Sequence, residues 1–307
     1  MNDNLTMSTF QIFGMFPNAE SARLYLEGRL WPQGAVCPAC EKGDRVKARK
    51  GGFYRCNRCL EDFTVRTGTI FERSHVPLNK WLYAMYLLLT SRKGISSLQL
   101  SKEIGITQKS AWFLLQRIRE ACGNDLAALR GIVEIDEAYI GGSETNKHAN
   151  KKLHMGRGPK GKAIALGMKE RDGRVFAKSI TTSDTYTLKF EVEKRVAPGS
   201  KVFTDEHTGY ETIEGFDHQT IKHGKKEYVR GEVNTNSIES VWAVLKRGLN
   251  GVYHHASKKH LDRYLNEFTF RLNEGNVKVP TMDRIDSLVR ATKGKRITYR
   301  HLISSEA

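Results

Sequence analysis

Three acidic residues fall within a short apolar stretch near the middle of the chain. Glu134, Asp136 and Glu137 interrupt a run of strand-forming residues at 132–140, and two glycines at 141–142 close the run as a turn. Successive side chains of a strand alternate between its faces, so Glu134 and Asp136 share one face and Glu137 points to the other. An edge strand with a solvated acidic face would account for this run if it stood alone.

Two later segments offer further carboxylates. Residues 201–204 are strand-like and lead directly into Asp205, with a glycine at 209 beyond it. In residues 234–248, apolar side chains recur at helical spacing after a candidate N-cap at Asn234 or Thr235, which places Glu239 in the first turns of an amphipathic helix. Two strand-borne aspartates and one helix-borne glutamate can converge on a pair of oxygen-ligated cations such as Mg²⁺. Two such ions about 3.5–4 Å apart promote phosphodiester chemistry.

These acids lie in a set of motifs that resembles the DDE transposases. The motifs are Val-Glu-Ile-Asp-Glu-Ala-Tyr-Ile-Gly-Gly at 133–142, Asn-Thr-Asn-Ser-Ile-Glu-Ser-Val-Trp at 234–242, and the segments 253–264 and 267–273. More narrowly, the chain is similar to the insertion-sequence transposases related to Merlin elements, over roughly residues 16–273. The resemblance implies an α/β, RNase H-like catalytic domain with Asp136, Asp205 and Glu239 as Mg²⁺ (or Mn²⁺) ligands. The choice of Asp136 over its acidic neighbours depends partly on this resemblance.

The same resemblance implies a partner and a reaction. Such an enzyme binds the terminal repeats of its element in double-stranded DNA, cuts there, and joins the 3′ ends to target DNA by metal-dependent transesterification. Lys246, beside Arg247, lies seven residues after Glu239, and in this family a basic residue at that offset holds the element end near the active site. A solvated basic helix face is the alternative for both residues. Because two element ends must meet, we expect at least a dimer on DNA.

A zinc site is predicted independently near the N-terminus. Cys37 and Cys40 form one Cys-x₂-Cys knuckle, and Cys56 and Cys59 form a second after a 15-residue spacer. Four thiolates so arranged favour tetrahedral structural Zn²⁺ in a zinc ribbon. Two disulfides are the competing interpretation, which the absence of an export signal disfavours. Cys122 falls in a helical pattern and is predicted to be a buried thiol.

The segment after the ribbon predicts a helical, helix-turn-helix-like module. A helix following the proline at 77, a second helix at 95–104 and a third at 108–122 are separated by short turns, one of which contains a glycine. Gln108, Lys109 and Ser110 would begin the recognition helix, where contacts to the DNA groove usually arise. A three-helix packing module without DNA contacts is the alternative.

A cationic loop is predicted between the first acidic strand and the next. Residues 143–162 lack apolar periodicity, and Lys151, Lys152 and Arg157 could hold backbone phosphates there. A solvated, mobile loop is the alternative. Strands at 163–168 and 175–180 around an Asp-Gly turn, and a helix at 186–196, complete the expected catalytic domain.

Bulk composition agrees with a nucleic-acid partner. The 307 residues carry a formal charge of +16, which favours a polyanion over a membrane. We expect a cytoplasmic, nucleoid-associated bacterial protein with four parts: an N-terminal helix and zinc ribbon (1–75), a helix-turn-helix-like module (76–128), the catalytic domain (129–275) and a basic C-terminal tail (276–307). An RNase H-like nuclease without strand transfer, a zinc-ribbon and helix-turn-helix DNA-binding regulator, and an inactivated copy remain alternatives.

Overall fold

The computed structural model describes residues 5–123, 127–142, 148, 150, 161–225, 227–275 and 278–304. The chain divides into two compact units. The first combines Met1–Asn124 with Glu274–Ala307, and the second comprises Asp125–Asn273.

The first unit contains a small sheet and seven helices within the described ranges. The sheet has the antiparallel order β1-β2-β3, formed by β1 (Val46–Ala48), β2 (Tyr54–Cys56) and β3 (Asp62–Phe63). The helices are α1 (Thr9–Met15), α2 (Ala19–Leu30), α3 (Leu78–Thr90), α4 (Ser97–Ile104), α5 (Gln108–Cys122), α9 (Thr281–Arg290) and α10 (Tyr299–Ile303).

Local capping explains where several of these helices begin and end. The side chain of Asn18 accepts hydrogen bonds from the backbone at the start of α2, and Ser96 and Thr107 do the same for α4 and α5. Gly105 ends α4 in the left-handed conformation, which only glycine adopts without strain. The predicted helix, Gly-containing turn and helix are therefore present at 97–122.

The C-terminal segment folds as part of the first unit. Helix α9 packs against α2 and α3, and its apolar residues Ile285, Leu288 and Val289 are fully buried. Asp286 on the same helix accepts hydrogen bonds from Tyr25 and Arg29 of α2. The basic C-terminal segment is thus structured over its described residues.

The second unit is a five-stranded sheet with helices on both faces. Its strands are β4 (Ile132–Ile140), β5 (Ala163–Glu170), β6 (Val175–Ile180), β7 (Lys201–Thr204) and β8 (Asp217–Thr220), in the order β6-β5-β4-β7-β8. Strands β4, β5 and β6 pair antiparallel, whereas β7 and β8 run parallel to β4. With α6 (Thr185–Arg195), α7 (Asn236–Gly248) and α8 (Leu261–Glu274), this is the expected RNase H-like α/β domain.

The two faces of this sheet have separate cores. Val133 and Ile135 of β4 pack with residues of α6 on one face. Ala138 packs on the other face with α7 and α8, through residues such as Trp242 and Phe268. Strand β4 is central, and the edge-strand interpretation of its acidic run is therefore wrong.

Candidate active site and zinc site

Strand pairing brings the two aspartates next to each other. In the parallel pair of β4 and β7, Ile132 is opposite Lys201 and Glu134 is opposite Phe203, an offset of 69 residues. Continuing that offset by two residues sets Asp205, directly after β7, beside Asp136. Neighbouring strands lie about 4.8 Å apart, and equivalent positions share a face. Both carboxylates consequently belong to the sheet face that carries α7.

Helix α7 brings the third carboxylate to that face. Glu239 is in its first turn, exposed, and accepts a hydrogen bond of 2.9 Å from the Thr235 hydroxyl. The helix lies close to β5 because Gly167, opposite Asp136 in the antiparallel register, has no side chain. A Cβ at Gly167 would come within 2.4 Å of Trp242 Cζ2 and 2.9 Å of Ile238 Cδ1.

A buried ion pair holds the start of α7 on the sheet. Glu134 is fully buried, and one of its oxygens accepts hydrogen bonds from Arg171 Nε and Nη2 at 3.0 and 2.9 Å. Its other oxygen accepts from the backbone N–H groups of Ser237 and Ile238 at 2.7 and 3.1 Å. A carboxylate placed there satisfies N–H groups that a helix start leaves free, and it interacts favourably with the helix dipole.

Arg171 extends this restraint to the segment before the helix. Its guanidinium donates to the carbonyls of Glu232 and Asn234, at 2.8 and 3.4 Å. It also lies over the ring of Phe203 in β7, 5.3 Å from the centroid. Glu134 and Arg171 therefore connect β4, the β5–β6 turn and the N-terminal end of the helix that carries Glu239. We refer to this pair as the α7 anchor.

The electrostatics of the site follow from burial and from the crowding of like charges. Burial, followed by the negative charges of Asp205 and Glu239, raises the pKa of Asp136 to about 6. The backbone N–H of Glu137, which donates to Asp136 at 2.8 Å, and the charge of Lys246 act in the opposite direction. All three predicted acids and Lys246 are thus close enough to interact.

Glu137 occupies the opposite face of β4 and has a different environment. Burial raises its pKa to about 7, against the effect of a hydrogen bond donated by the buried hydroxyl of Tyr210. Tyr210 closes the short 3₁₀ turn Thr208–Tyr210 after Asp205. Asp205 accepts a bond of 3.0 Å from the backbone N–H of His207 in the same loop. Glu137 therefore holds the Asp205 loop against the sheet.

The donor set fits hard divalent cations. Carboxylates grouped on one face are stabilised by a cation placed between them, and burial together with neighbouring negative charge raises the pKa of Asp136. Their oxygens are more widely spread than the ligands of a tetrahedral site. Within the described ranges, the only group of three or more metal-ligand side chains whose atoms all approach within 4.8 Å is the cysteine set.

That cysteine set provides the four ligands of a structural zinc site. The Sγ atoms of Cys37 and Cys59 are 3.5 Å apart, and those of Cys40 and Cys56 are 3.7 Å apart. The residue after the second cysteine of each knuckle has a positive φ, +56° at position 41 and +61° at position 60, so the knuckles turn alike. Four convergent thiols of this kind suit structural Zn²⁺. Cys122 is buried in α5, apart from this set.

The predicted DNA-binding residues fall into three groups. Gln108, Lys109 and Ser110 are all exposed at the start of α5, in the first unit. Lys246 and Arg247 are exposed in the last turn of α7. Lys151, Lys152 and Arg157 of the cationic loop lie outside the described residues.

Sequence reasoning missed the residues that position the acids. The sequence marks Glu134 only as an acid on the same face as Asp136, and it marks Arg171 only as the residue before an Asp-Gly turn. The available signal is that Glu134 lies two positions before Asp136 and therefore on the same face of the strand. An acid on a covered face of a sheet needs a partner for its charge. Nothing local marks Gly167, because its role depends on Trp242, 75 positions later.

Comparison with known proteins finds matches in both parts of the chain. Residues 128–273 match the model of an ISXO2-like transposase domain, and residues 17–61 match a transposase zinc-ribbon domain. The chain is also 29% identical, over 262 residues, to an uncharacterized protein in transposable element ISH50 of Halobacterium salinarum, with 78% of this chain and 86% of that protein covered. No helix in the described part of the chain has both the length and the hydrophobicity needed to cross a membrane.

Proposed function

We propose that the chain is an insertion-sequence transposase, which cuts DNA at the terminal repeats of its element and joins the 3′ ends to target DNA. The proposal follows from the match to an ISXO2-like transposase domain behind a transposase zinc ribbon. The observation that carries the proposal is the convergence of Asp136, Asp205 and Glu239 on one face of an RNase H-like sheet.

The three carboxylates are the proposed ligands of two Mg²⁺ or Mn²⁺ ions. When bound, such ions activate the attacking oxygen and stabilise the leaving oxygen of a phosphodiester. The protein itself has to position the carboxylates and to bind the DNA. Phosphoryl transfer of this kind needs placement and charge stabilisation rather than a protein nucleophile.

Exposed cations near the acids suit the DNA strand. Lys246 lies two helical turns after Glu239 on nearly the same face of α7, and its charge reaches Asp136. We assign to Lys246 a contact with a phosphate at the element end, and Arg247 lies beside it. We assign Gln108, Lys109 and Ser110 of α5 to the DNA groove, and Lys151, Lys152 and Arg157 to backbone phosphates. Two copies of the chain would bring two element ends together.

A joining assay tests the proposal. The purified protein is mixed with a short duplex carrying the terminal repeat, a supercoiled plasmid and Mg²⁺ or Mn²⁺. We expect duplex joined to plasmid, and no product when the divalent cation is omitted. Cleavage without joining would establish the nuclease alternative, whereas binding that is indifferent to the cation, without cleavage, would leave a regulator or an inactive copy.

Variants connect the assay to the site. Glu239→Gln should abolish cutting and joining while the affinity for the duplex changes by less than about twofold, because one exposed carboxylate is replaced by its amide. Glu193→Gln is the matched control, since Glu193 is exposed on α6, across the sheet from α7. Cutting that persists in Glu239→Gln would remove Glu239 from the catalytic set.

A further inference from the structure

The last described residues of the chain run back along the predicted recognition helix. Residues 293–299, which we call the C-terminal strap, contact α5 at three places in reverse order. Lys295 Nζ donates to the carbonyls of Ala121, at 3.1 Å, and Gly123 at the C-terminal end of α5. Such a cation satisfies carbonyls that the helix leaves free.

The strap then reaches the middle and the start of the helix. Arg117 Nε donates to the carbonyl of Ile297 at 3.3 Å, and Ile297 is buried. The ring centroids of Tyr299 and Phe113 are 5.5 Å apart, and Lys109 Nζ lies 4.8 Å from the centroid of the Tyr299 ring. The strap therefore ends beside the first turn of α5, where the candidate base-reading residues are exposed.

Helix α10 continues from that point and presents a cation to solvent. Leu302 faces inward and is fully buried, while Arg300 and His301 are exposed. No described carboxylate forms an ion pair with Arg300. From residue 287 to residue 304 the sequence contains five Lys or Arg residues and no Asp or Glu. Lys295 and Arg296 of that set already contact α5 and Glu72, whereas the exposed Arg300 directly follows Tyr299, which contacts the first turns of α5.

We propose that α10, held by the C-terminal strap, and the start of α5 form one composite DNA-binding surface, in which Arg300 binds a backbone phosphate beside the groove that Gln108, Lys109 and Ser110 enter. This inference rests on the proposed function and adds a partner contact to it. A phosphate contact next to the recognition helix fixes the register in which that helix reads the bases.

The affinity of the full chain for a fluorescent terminal-repeat duplex, measured by anisotropy between 50 and 300 mM salt, tests the proposal. Loss of one phosphate contact reduces the steepness of the plot of log binding constant against log salt concentration by about 0.9. Near 0.1 M salt this corresponds to a roughly five- to tenfold loss of affinity. We expect this loss for Arg300→Ala, and Lys109→Ala should also weaken binding, because Lys109 enters the groove in the same surface. Arg300→Lys should retain most of the affinity, because a phosphate contact depends mainly on charge.

Arg92→Ala is the matched control. Arg92 is exposed in the loop before α4, about 12 Å of helix away from the turn that leads into α5. It should bind the duplex as the unaltered chain does. Equal losses in Arg92→Ala and Arg300→Ala would indicate a general charge effect and overturn the composite surface.

Two results separate this inference from the proposed function. If the unaltered chain binds and joins the duplex, but Arg300→Ala keeps the same affinity and salt slope, the composite surface is refuted and the transposase proposal stands. If the unaltered chain does not bind the duplex at any salt concentration, both are refuted.

Discussion

Asp136→Asn should stabilise the protein in the absence of divalent cations while abolishing DNA cleavage. Burial, together with the charges of Asp205 and Glu239, raises the pKa of Asp136 from 3.8 to about 6. The ionised carboxylate therefore destabilises the folded protein relative to the unfolded chain, in which the pKa stays near 3.8. Asparagine keeps the carbonyl oxygen that accepts the Glu137 N–H but carries no charge.

The magnitude follows from the pKa shift, which is close to two units. At about 1.4 kcal/mol per unit, the ionised carboxylate costs about 3 kcal/mol at neutral pH and above. The contribution of this group to stability is fully present below pH 4, declines as the pH rises from about 4 to about 6, and is constant thereafter. The advantage of Asp136→Asn should accordingly be about 1–2 kcal/mol at pH 5 and about 3 kcal/mol at pH 8.

Urea unfolding at pH 5 and pH 8, followed by circular dichroism in buffer without added Mg²⁺, measures this difference. Asp172→Asn is the matched control, since Asp172 is exposed in the β5–β6 turn and its replacement should change stability by less than about 0.5 kcal/mol. Added Mg²⁺ should stabilise the unaltered protein more than Asp136→Asn. An asparagine variant that is less stable than the unaltered protein at pH 8 would refute the reasoning, because the carboxylate would then be favourably held without a cation.

Three further perturbations test how the site and the zinc ribbon are held. Gly167→Ala should displace α7, lower the free energy of unfolding in urea by about 1–3 kcal/mol and slow joining, because the new Cβ would clash with Trp242. Gly142→Ala is the control, since its Cβ would meet open space, and equal effects of the two variants would contradict the close packing. Glu134→Ala should cost about 3–5 kcal/mol in the same assay, since it removes the carboxylate partner of a half-buried guanidinium and leaves two helix N–H groups without a partner, and a loss below 1 kcal/mol would show that the anchor is dispensable. Cys59→Ser should lower the bound zinc, measured by mass spectrometry, from one ion per chain to well below one, and a full ion in the variant would exclude the four-cysteine site.

Much of the fold could be predicted from local patterns. The strands around the Asp-Gly turn, the helix at 108–122 and its cap at Thr107 follow from periodicity and capping chemistry, which act within a few residues. The zinc ribbon was predictable as well, because cysteine spacing alone specifies the tetrahedral site. The confirmed family resemblance depended on motif order along the chain rather than on any single motif.

The remaining features depend on contacts between distant parts of the chain. The burial of Glu134 follows from β4 being central and covered by α7, which begins about 100 residues later. The C-terminal strap and α10 look like a basic tail in the sequence, because their buried apolar residues, Ile297 and Leu302, are isolated and show no periodicity. Both features become visible only when the partner segment is known.

The residues that position α7 are different from the residues whose negative charges have to be neutralised. The anchor of Glu134 and Arg171, together with the close approach at Gly167, fixes the start of α7 through hydrogen bonds and packing that involve no catalytic acid. The proposed catalytic carboxylates, in contrast, repel one another, and the charge of Lys246 lowers the pKa of Asp136 against that repulsion. Because α7 is held in place by groups other than the three acids, the repulsion between the acids does not have to be relieved by movement of the backbone. In the proposed function this repulsion would be relieved when divalent cations bind, so the site would give up stability in their absence and bind them without reorganising α7.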